Sequence, residues 1–358
     1  MKKDPVSLLL WAGMWMACLS TCTADRPTAL HITVDAGSSG TRICEWSIQL
    51  PQSSNETCMA RDNGHRCQKL DLALAQATPQ TIQDLVAQLI QLQSQSIPEE
   101  NVAVQILATG GFRQLDPQTR TRQIHQIQTR LQQAHPGWRI QVISGQTESR
   151  LAWQAVQRAT GIAGHDLVML ESGGASVQLA WPSRQGQLEL ASFPVGMNRV
   201  LELLRSQAGV SACYAMDANR NTWDYGQCRA LIERQLLSGL QKDPAFAAWQ
   251  QWQSARGQSA PPVQAIGAAW QAVGQYIQSK QITLNDLASH GRSICAAGPE
   301  ALMQKGIEAR YARRACLLLS YTSALMSSFQ IVAARISDQT WAAGAAVDPE
   351  YFPDCKTR

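Results

Sequence analysis

The sequence has little charge and few of the patterns that indicate nucleic-acid binding, zinc binding or a membrane-embedded fold. Asp, Glu, Lys and Arg make up 16% of its 358 residues, and the formal net charge of +4 comes without a basic block. This balance gives little support to nucleic-acid binding, although an anionic small molecule remains compatible with it. Beyond residue 24 no apolar stretch approaches the length of a membrane span. The 45% of hydrophobic residues is typical of a globular protein, here long enough for two domains.

The N-terminus has the composition of an export signal. Two lysines precede an apolar run from Val6 to Leu19, and small residues follow up to Ala24. The run is too short to span a bilayer comfortably, so we predict a cleaved signal over residues 1–24 and a secreted or periplasmic protein. The alternatives are an uncleaved anchor and a lipoprotein modified at Cys22.

The cysteines predict disulfides. Ten are present, and two fall in the predicted signal, which leaves an even number in an oxidising compartment. Zinc is the competing interpretation, but the cysteines form no C-x-x-C pair and no His pair accompanies them. Proximity in the sequence favours the first two of the following pairs, the third is the next assignment, and the fourth joins the remaining cysteines: Cys58–Cys67, Cys213–Cys228, Cys295–Cys316 and Cys44–Cys355.

A segment rich in glycine and serine, Asp35 to Arg42, lies between two apolar runs, Leu30 to Val34 and Ile43 to Ile48. The alternation in both runs predicts the two strands of a hairpin with this segment as its turn. Glycines let the backbone approach a ligand closely, while hydroxyls and successive N–H groups suit phosphate oxygens. On its own the segment is equally typical of an ordinary surface turn. Its candidate phosphate-binding residues are Gly37, Ser38, Ser39, Gly40 and Thr41.

A second copy of this pattern favours the functional interpretation. Glu171 to Gln178 follows the apolar run Leu167 to Leu170 and repeats the order carboxylate, small residues, hydroxyl and strand. Gly173, Gly174 and Ala175 are its candidate phosphate-binding residues. Two such hairpins indicate two related lobes that grip a polyphosphate, and we predict an N-terminal lobe over 25–162 and a C-terminal lobe over 163–358.

Between the hairpins, a predicted strand, Val102 to Leu107, runs into Thr109 and Gly110. Ligands collect at such strand ends in α/β folds, although a plain strand-to-helix turn explains the pattern as well. Glu148 lies in the first turn of a predicted helix over 146–160. A carboxylate there also stabilises a helix through the helix dipole, without any catalytic role. Further predictions are a polar loop over 53–68, a short strand over 294–298, and a helix whose Trp249 and Trp252 form either core or a substrate platform.

Together these motifs resemble the apyrase family of ecto-nucleoside triphosphate diphosphohydrolases. The five segments that carry the resemblance span nearly the whole predicted mature chain: Asp35 to Arg42, Ala108 to Arg113, Ile143 to Trp153, Leu170 to Gln178 and Trp341 to Ala345. The sequence departs from the family at Glu171, Ser172 and Val177, and it has no obvious base-stacking tyrosine near Cys295.

The resemblance implies an α/β, two-lobed actin-like (ribonuclease-H-like) fold with the active site in the cleft between the lobes. It places Glu148 at the family's catalytic position. Phosphoryl transfer needs an oriented nucleophile and neutralised phosphoryl oxygens. We expect Glu148 to act as general base on a water fixed by Ser176 and Gln178, and Asp35 and Glu171 to hold Mg²⁺ or Ca²⁺ through water.

The favoured hypothesis is an exported apyrase, monomeric, that cleaves nucleoside tri- and diphosphates to monophosphates. A second hypothesis is an exopolyphosphatase or alarmone phosphatase of the same superfold. A third is a non-catalytic nucleotide-binding module or a sugar kinase on that fold, although a kinase outside the cytoplasm would lack a maintained ATP supply.

Overall fold

The computed structural model describes residues 28–53, 56–70, 72–94, 102–207, 210–213, 223–257 and 261–356, without the side chains of 61–65. The predicted export signal lies outside these ranges. None of the helices within them is long and apolar enough to cross a membrane.

The first sheet has five strands in the order β3-β2-β1-β4-β5. The predicted hairpin is confirmed, because β1 and β2 are antiparallel neighbours joined by the glycine-rich turn. β3 extends the sheet beyond β2, while β4 and β5 run parallel to β1. The strands are β1 (Thr28–Ala36), β2 (Thr41–Gln49), β3 (Met59–Leu70), β4 (Val102–Ala108) and β5 (Arg139–Val142).

The second sheet repeats this arrangement. Its order is β10-β11-β9-β6-β7-β8, so the hairpin of β6 and β7, its extension β8, and the parallel strands β9 and β11 match the first sheet strand for strand. β10 is an additional antiparallel edge strand. The strands are β6 (Met169–Ser172), β7 (Val177–Pro182), β8 (Leu188–Phe193), β9 (Val263–Ile266), β10 (Gln281–Thr283) and β11 (Ala333–Ile336).

The helices cover the sheets and form the cores. Leu85 and Leu89 of α1 and Ile127 and Leu131 of α3 pack with the apolar side chains of the first sheet. α11 is buried along nearly its whole length and contacts α6, α8 and α9 around the second sheet. The helices are α1 (Pro79–Ser94), α2 (Gly110–Arg113), α3 (Pro117–Ala134), α4 (Gly145–Thr160), α5 (Met197–Leu204), α6 (Tyr225–Leu240), α7 (Pro244–Arg256), α8 (Ala268–Ile277), α9 (Leu284–Gln304), α10 (Ala309–Ala312), α11 (Ala315–Ser328) and α12 (Trp341–Ala345).

Two helices join the sheets. α4 follows β5, and α12 follows the corresponding strand β11. They pack closely, since a Cβ atom on Gly344 would lie only 2.0 Å from the carbonyl oxygen of Leu151. One apolar cluster contains residues of both sheets as well as both helices, so the lobes share this part of the core.

The chain beyond α12 returns to the first sheet. The buried His31 of β1 stacks on Phe352 at 4.0 Å between ring centroids, and its Nε2 lies 2.9 Å from Asp354 Oδ2. The strands of the first sheet lie within 28–142 and those of the second within 169–336. The predicted boundary after residue 162 falls between these sets and stays a prediction.

The disulfide predictions are half right. Cys213–Cys228 and Cys295–Cys316 are confirmed. Cys58–Cys67 and Cys44–Cys355 are wrong, because the structure joins Cys44 to Cys67 and Cys58 to Cys355. Cys44 and Cys67 are directly opposite in the register of β2 and β3, whereas Cys58 meets the returning C-terminal segment.

Two secondary-structure predictions are also wrong. The predicted polar loop over 53–68 contains most of β3, whose exposed residues 66–69 lack an apolar face because the strand lies at the sheet edge. The predicted strand over 294–298 belongs to α9, which is interrupted at Gly298, with φ of 78°, ahead of Pro299. Trp249 and Trp252 are core residues rather than a platform, with exposures of 0% and 5%.

Candidate active site

The two hairpin turns have the same backbone construction. In the Asp35 turn (residues 35–41) Gly37 N–H donates to Gly40 O at 3.1 Å, and in the Glu171 turn (residues 171–177) Gly173 N–H donates to Ser176 O at 3.0 Å. In both turns the carboxylate lies two residues before the donating glycine. The N–H groups of Gly37 and Gly173 donate within the turn. The N–H donors that can face a ligand are therefore those of the residues that follow.

The turns meet where the parallel strands end. Asp35 lies near the carboxyl end of β1, with Thr109 just beyond the parallel strand β4. Glu171 and Gly267 hold the equivalent positions at β6 and β9. This edge is where open α/β sheets bind ligands, and the duplication brings two such edges face to face.

Contact between the lobes is close. A Cβ atom on Gly174 would lie 2.7 Å from Ser38 Oγ, and one on Gly110 would lie 2.5 Å from the Cβ of Ala175. Space therefore requires glycine at position 110, whereas a side chain at position 174 would displace the Ser38 hydroxyl. Between the turns lies a cavity of about 150 Å³, which we call the site cavity.

The structure brings the predicted site residues together. Every one of them except Gln178 lines the site cavity: Asp35, Gly37, Ser38, Ser39, Gly40, Thr41, Thr109, Gly110, Glu148, Glu171, Gly173, Gly174, Ala175 and Ser176. The Thr41 hydroxyl donates to Leu72 O at 2.8 Å and is thus engaged within the fold. The roles assigned to these residues stay predictions.

Gln178 lies behind the cavity wall. It is fully buried, and its Nε2 contacts Ser176 Oγ at 2.7 Å, Ser192 Oγ at 3.1 Å and Glu148 Oε2 at 3.4 Å. These contacts orient the hydroxyl and the carboxylate that face the cavity. Gln178 does not line the site cavity, and its predicted role in fixing the water stays a prediction.

Three carboxylates converge on the site cavity. Burial is the largest cause that raises their pKa values, to about 7 for Asp35 and well above the ordinary value for Glu171, while the pKa of Glu148 is also raised. Their negative charges add to the effect, since Glu148 raises the pKa of Asp35 and both of them raise that of Glu171. The cluster therefore holds more negative charge than its surroundings balance.

Arg113 is the cation that compensates Glu148. Its Nη2 lies 2.8 Å from Glu148 Oε2 and 3.1 Å from Ser176 Oγ, while Nη1 donates to Ile143 O at 3.0 Å. The guanidinium lowers the pKa of Glu148 against the effect of burial. Arg113 closes the motif Ala108 to Arg113, so the sequence carried a signal for it, but not for its partners.

Other residues of the cavity were not predicted as site residues. Arg42 ends the first glycine-rich segment and is paired in register with Lys69 of β3, to which the sequence analysis gave no role. Gly267 has φ of 108° and occupies the place that corresponds to Thr109, so the duplication could have identified it. The remaining lining residues are Ser172, Met197, Ala268, Ala269, Tyr311 and Trp341.

The donor set fits a hard divalent cation. Oxygen ligands are those that Mg²⁺ and Ca²⁺ prefer, and Glu171 Oε2 is buried without a hydrogen-bond partner among the described residues. A cation near Asp35 and Glu171 would balance the excess charge. Another cluster, of His31, Asp354 and Cys355, is not suited to a metal because Cys355 is spent in its disulfide.

Comparison with known proteins corrects the family prediction. The sequence model of the Ppx/GppA phosphatase family matches residues 80–221 of this chain. A search of curated protein sequences gave no match. The resemblance to apyrases is therefore wrong as a family assignment, and with it the predicted nucleoside triphosphate diphosphohydrolase activity, because the match is to another branch of the same superfold.

Solved structures confirm the actin-like, two-lobed fold. A PPX-GPPA enzyme of Aquifex aeolicus superimposes with a TM-score of 0.59 at 14% identity, covering 90% of this chain and 99% of its own. An exopolyphosphatase from Cytophaga hutchinsonii gives 0.61 at 13%, covering 88% and 96%. Nucleoside triphosphate hydrolases from Neospora caninum give 0.54 at 12%, covering 91% and 93%. At these identities the similarity is one of fold.

Proposed function

We propose that this protein is a metal-dependent hydrolase that removes the terminal phosphate of a linear phosphoanhydride chain, as an exopolyphosphatase or an alarmone phosphatase does. The observation that carries the proposal is the convergence of Asp35, Glu148 and Glu171 between two glycine-rich turns. The sequence match to the Ppx/GppA phosphatase family supports it.

The turns bind and orient the substrate. Backbone N–H groups that follow Gly37 and Gly173, together with the Ser38 and Ser176 hydroxyls, donate to phosphoryl oxygens from both lobes. Donors fixed in place before the reaction are worth more than mobile water, because no reorganisation is needed as charge develops.

Asp35 and Glu171 would hold the divalent cation, for which we propose Mg²⁺, with Ca²⁺ as the alternative. Such a cation supplies charge neutralisation on the phosphoryl oxygens when it is bound. Glu171 needs a counter-charge more than Asp35 does, since the residue is only 7% exposed and its Oε2 has no hydrogen-bond partner among the described residues.

Glu148 accepts the proton. A water oxygen forms a bond to the terminal phosphorus while the bridging P–O bond breaks, and the departing oxygen keeps the electron pair of that bond. The water's proton goes to a carboxylate oxygen of Glu148. Arg113 holds Glu148 in its ionised, proton-accepting form, and Gln178 fixes the direction of its Oε2.

The dimensions of the cavity favour a phosphoryl group over a whole ligand. Its 150 Å³ is well below the roughly 300–1,000 Å³ of pockets that enclose complete small molecules. The terminal phosphoryl group and its neighbours fit inside. The rest of the chain extends out of the cavity, whose wall includes the positive side chains of Arg42 and Lys69.

The test is orthophosphate release from inorganic polyphosphate, guanosine pentaphosphate, ATP and ADP, each with Mg²⁺, with Ca²⁺ and with EDTA. We expect release from polyphosphate or the guanosine compound, in the presence of a divalent cation, and almost none from Glu148→Gln. ATP and ADP hydrolysed faster than both other substrates would contradict the proposed substrate class.

We also propose that the protein is exported and that residues 1–24 are removed. Four disulfides in the described chain support an oxidising compartment. N-terminal sequencing of the protein from a cell fraction outside the cytoplasm should begin at Asp25, and recovery of the intact N-terminus in the cytoplasm would contradict it.

A further inference from the structure

A second cavity adjoins the site cavity. It measures about 550 Å³, and we call it the rear cavity. The two cavities share Gly110, Ala175 and Ser176 in their walls. The rear cavity is completed by Arg113, by the start of α4 and by the stretches around Ser192 and Asp243.

The partition between the cavities is thin. A Cβ atom on Gly110 would lie 2.5 Å from the Ala175 Cβ, so the two lobes touch here and leave no space for a side chain at position 110. Likewise a Cβ atom on Gly145 would collide with Ser192 Oγ at 2.1 Å. The side chain of Arg113 covers the rear face of the partition, and 23% of it is exposed.

The rear cavity has donors for an oxyanion. Arg113 lines it with its charge, and Ser176 and Ser192 line it with hydroxyls. α4 begins at its wall, where the N–H groups of Gly145 and Gln146 have no partner within the helix and the helix dipole is positive. The carboxylate of Asp243 also lines the cavity, and it accepts the N–H of Ala245 at 2.9 Å.

We propose that the rear cavity binds orthophosphate released in the site and is its route to solvent. The inference rests on the proposed function. The newly formed orthophosphate contains the oxygen of the attacking water, and therefore lies on the side of Glu148 and Arg113. The shortened chain lies beside Arg42 and Lys69, which line the site cavity but not the rear cavity, and it blocks that side until it leaves.

Arg113 links the reaction to the exit. Its Nη2 touches both Glu148 and Ser176, the residues on either side of the reacting group. The guanidinium lines the rear cavity but not the site cavity, so it places a phosphate-binding cation on the far side of the partition. Orthophosphate can then leave while the shortened chain still occupies the site cavity.

The release test uses Gln146→Trp. Gln146 is exposed, lines the rear cavity and has no assigned role in the reaction. In a single turnover of polyphosphate we expect bond cleavage, measured after acid quench, at the wild-type rate. Free orthophosphate, followed with a fluorescent phosphate-binding protein, should appear about fivefold or more later, because release steps can limit turnover. Gln132→Trp, on the exposed face of α3, is the matched control and should behave as wild type.

A binding test needs no turnover. Gln146→Glu keeps the side-chain shape and suits a helix N-terminus, but it adds a negative charge to the rear cavity. We expect its affinity for orthophosphate, titrated by ³¹P NMR, to fall about tenfold, as repulsion between nearby charges requires. Gln132→Glu should leave the affinity unchanged.

Unaltered affinity in Gln146→Glu, or orthophosphate release from Gln146→Trp without delay, would overturn the proposal. So would cleavage that slows in step with release, because the rear cavity would then serve the chemical step. If no phosphoanhydride is hydrolysed at all, the proposed function fails, while the orthophosphate titration still decides whether the rear cavity binds this anion.

Discussion

The Asp35 turn and the Glu171 turn share a backbone but differ in what surrounds their carboxylates. Asp35 is partly exposed and lies opposite Arg42 in the register of β1 and β2, and the arginine lowers the pKa that burial raises. Glu171 is 7% exposed, its Oε2 lacks a partner among the described residues, and it faces the charges of both other carboxylates.

The two lobes therefore share the backbone of the turn, but each lobe supplies different neighbours for its carboxylate. The repeated hydrogen bond from the second residue after each carboxylate places the two acids symmetrically. Their neighbours then decide how much each depends on an added cation. Glu171 depends on it more, because Glu148 and Asp35 both raise its pKa in addition to burial, against the opposing charges of Arg42 and Arg113.

The largest effect is expected at Glu148, which receives one partner from each lobe: Arg113 from the first and Gln178 from the second. Glu148→Gln keeps the shape but cannot accept the proton. A general base contributes about 10²–10⁴-fold, so we expect the turnover number to fall by that factor with substrate binding retained. Turnover and equilibrium binding of a non-hydrolysable phosphoanhydride analogue measure this. Near-normal turnover in the folded variant would exclude Glu148 as the base.

The second prediction compares the two turns directly through metal binding. A cation at 100 times its dissociation constant stabilises a protein by about 2.7 kcal/mol if only the folded state binds it. We expect Mg²⁺ to raise the melting temperature of the wild type. The rise should be smaller in Asp35→Asn and nearly absent in Glu171→Gln, because the Glu171 carboxylate depends more on an added cation.

Calorimetric scans in EDTA and in increasing Mg²⁺ test this comparison. Asp84→Asn, which changes an exposed carboxylate of α1 outside the site cavity, is the control and should keep the wild-type response. Identical Mg²⁺ responses in all four proteins would mean that the two turns do not hold the metal.

The third prediction concerns the contact between the turns. Gly174→Ala places a methyl group 2.7 Å from Ser38 Oγ and from Asn198 Nδ2, and such overpacking costs about 1–3 kcal/mol. We expect lower thermal stability and lower turnover.

The double variant Ser38→Gly with Gly174→Ala should recover part of the stability, because it removes one of the two clashes. Gly226→Ala, with its nearest neighbour at 3.4 Å, is the control. Full additivity of the two changes would show that the turns do not touch.

The sequence predicts those parts of the molecule that local pattern determines. Both turns and their strands are contained in short segments, so alternation and turn residues were enough to identify them. Glu148 was placed by a resemblance to apyrases that proved wrong as a family assignment, although the residue does lie in the site cavity.

What escaped prediction depends on contacts distant in sequence. Cys58 pairs with Cys355 because the C-terminal segment returns to the first sheet, 297 residues later. β3 has no apolar alternation to identify it, since an edge strand is stabilised by hydrogen bonds to its one neighbour. Arg113 was visible in a motif, but its contact with Glu148 follows from the meeting of β4 and β5 with α4.

The last and smallest effect distinguishes the two partners of Glu148 by pH. Burial raises the pKa of Glu148, and the charge and hydrogen bond of Arg113 lower it. Arg113→Met removes both, so the pKa rises further and the base is protonated at higher pH. The acid limb of turnover against pH should therefore move upward by about one unit, which corresponds to about 1.4 kcal/mol. Gln178→Met removes only an uncharged donor at 3.4 Å, and we expect a smaller shift.

Turnover measured between pH 5 and 9 at saturating Mg²⁺ gives the acid limb of both variants. Arg122→Met, on the exposed face of α3, is the control for a lost positive charge. A shift of the acid limb to lower pH in Arg113→Met, or equal shifts in the two site variants, would show that the charge of Arg113 does not govern the ionisation of Glu148.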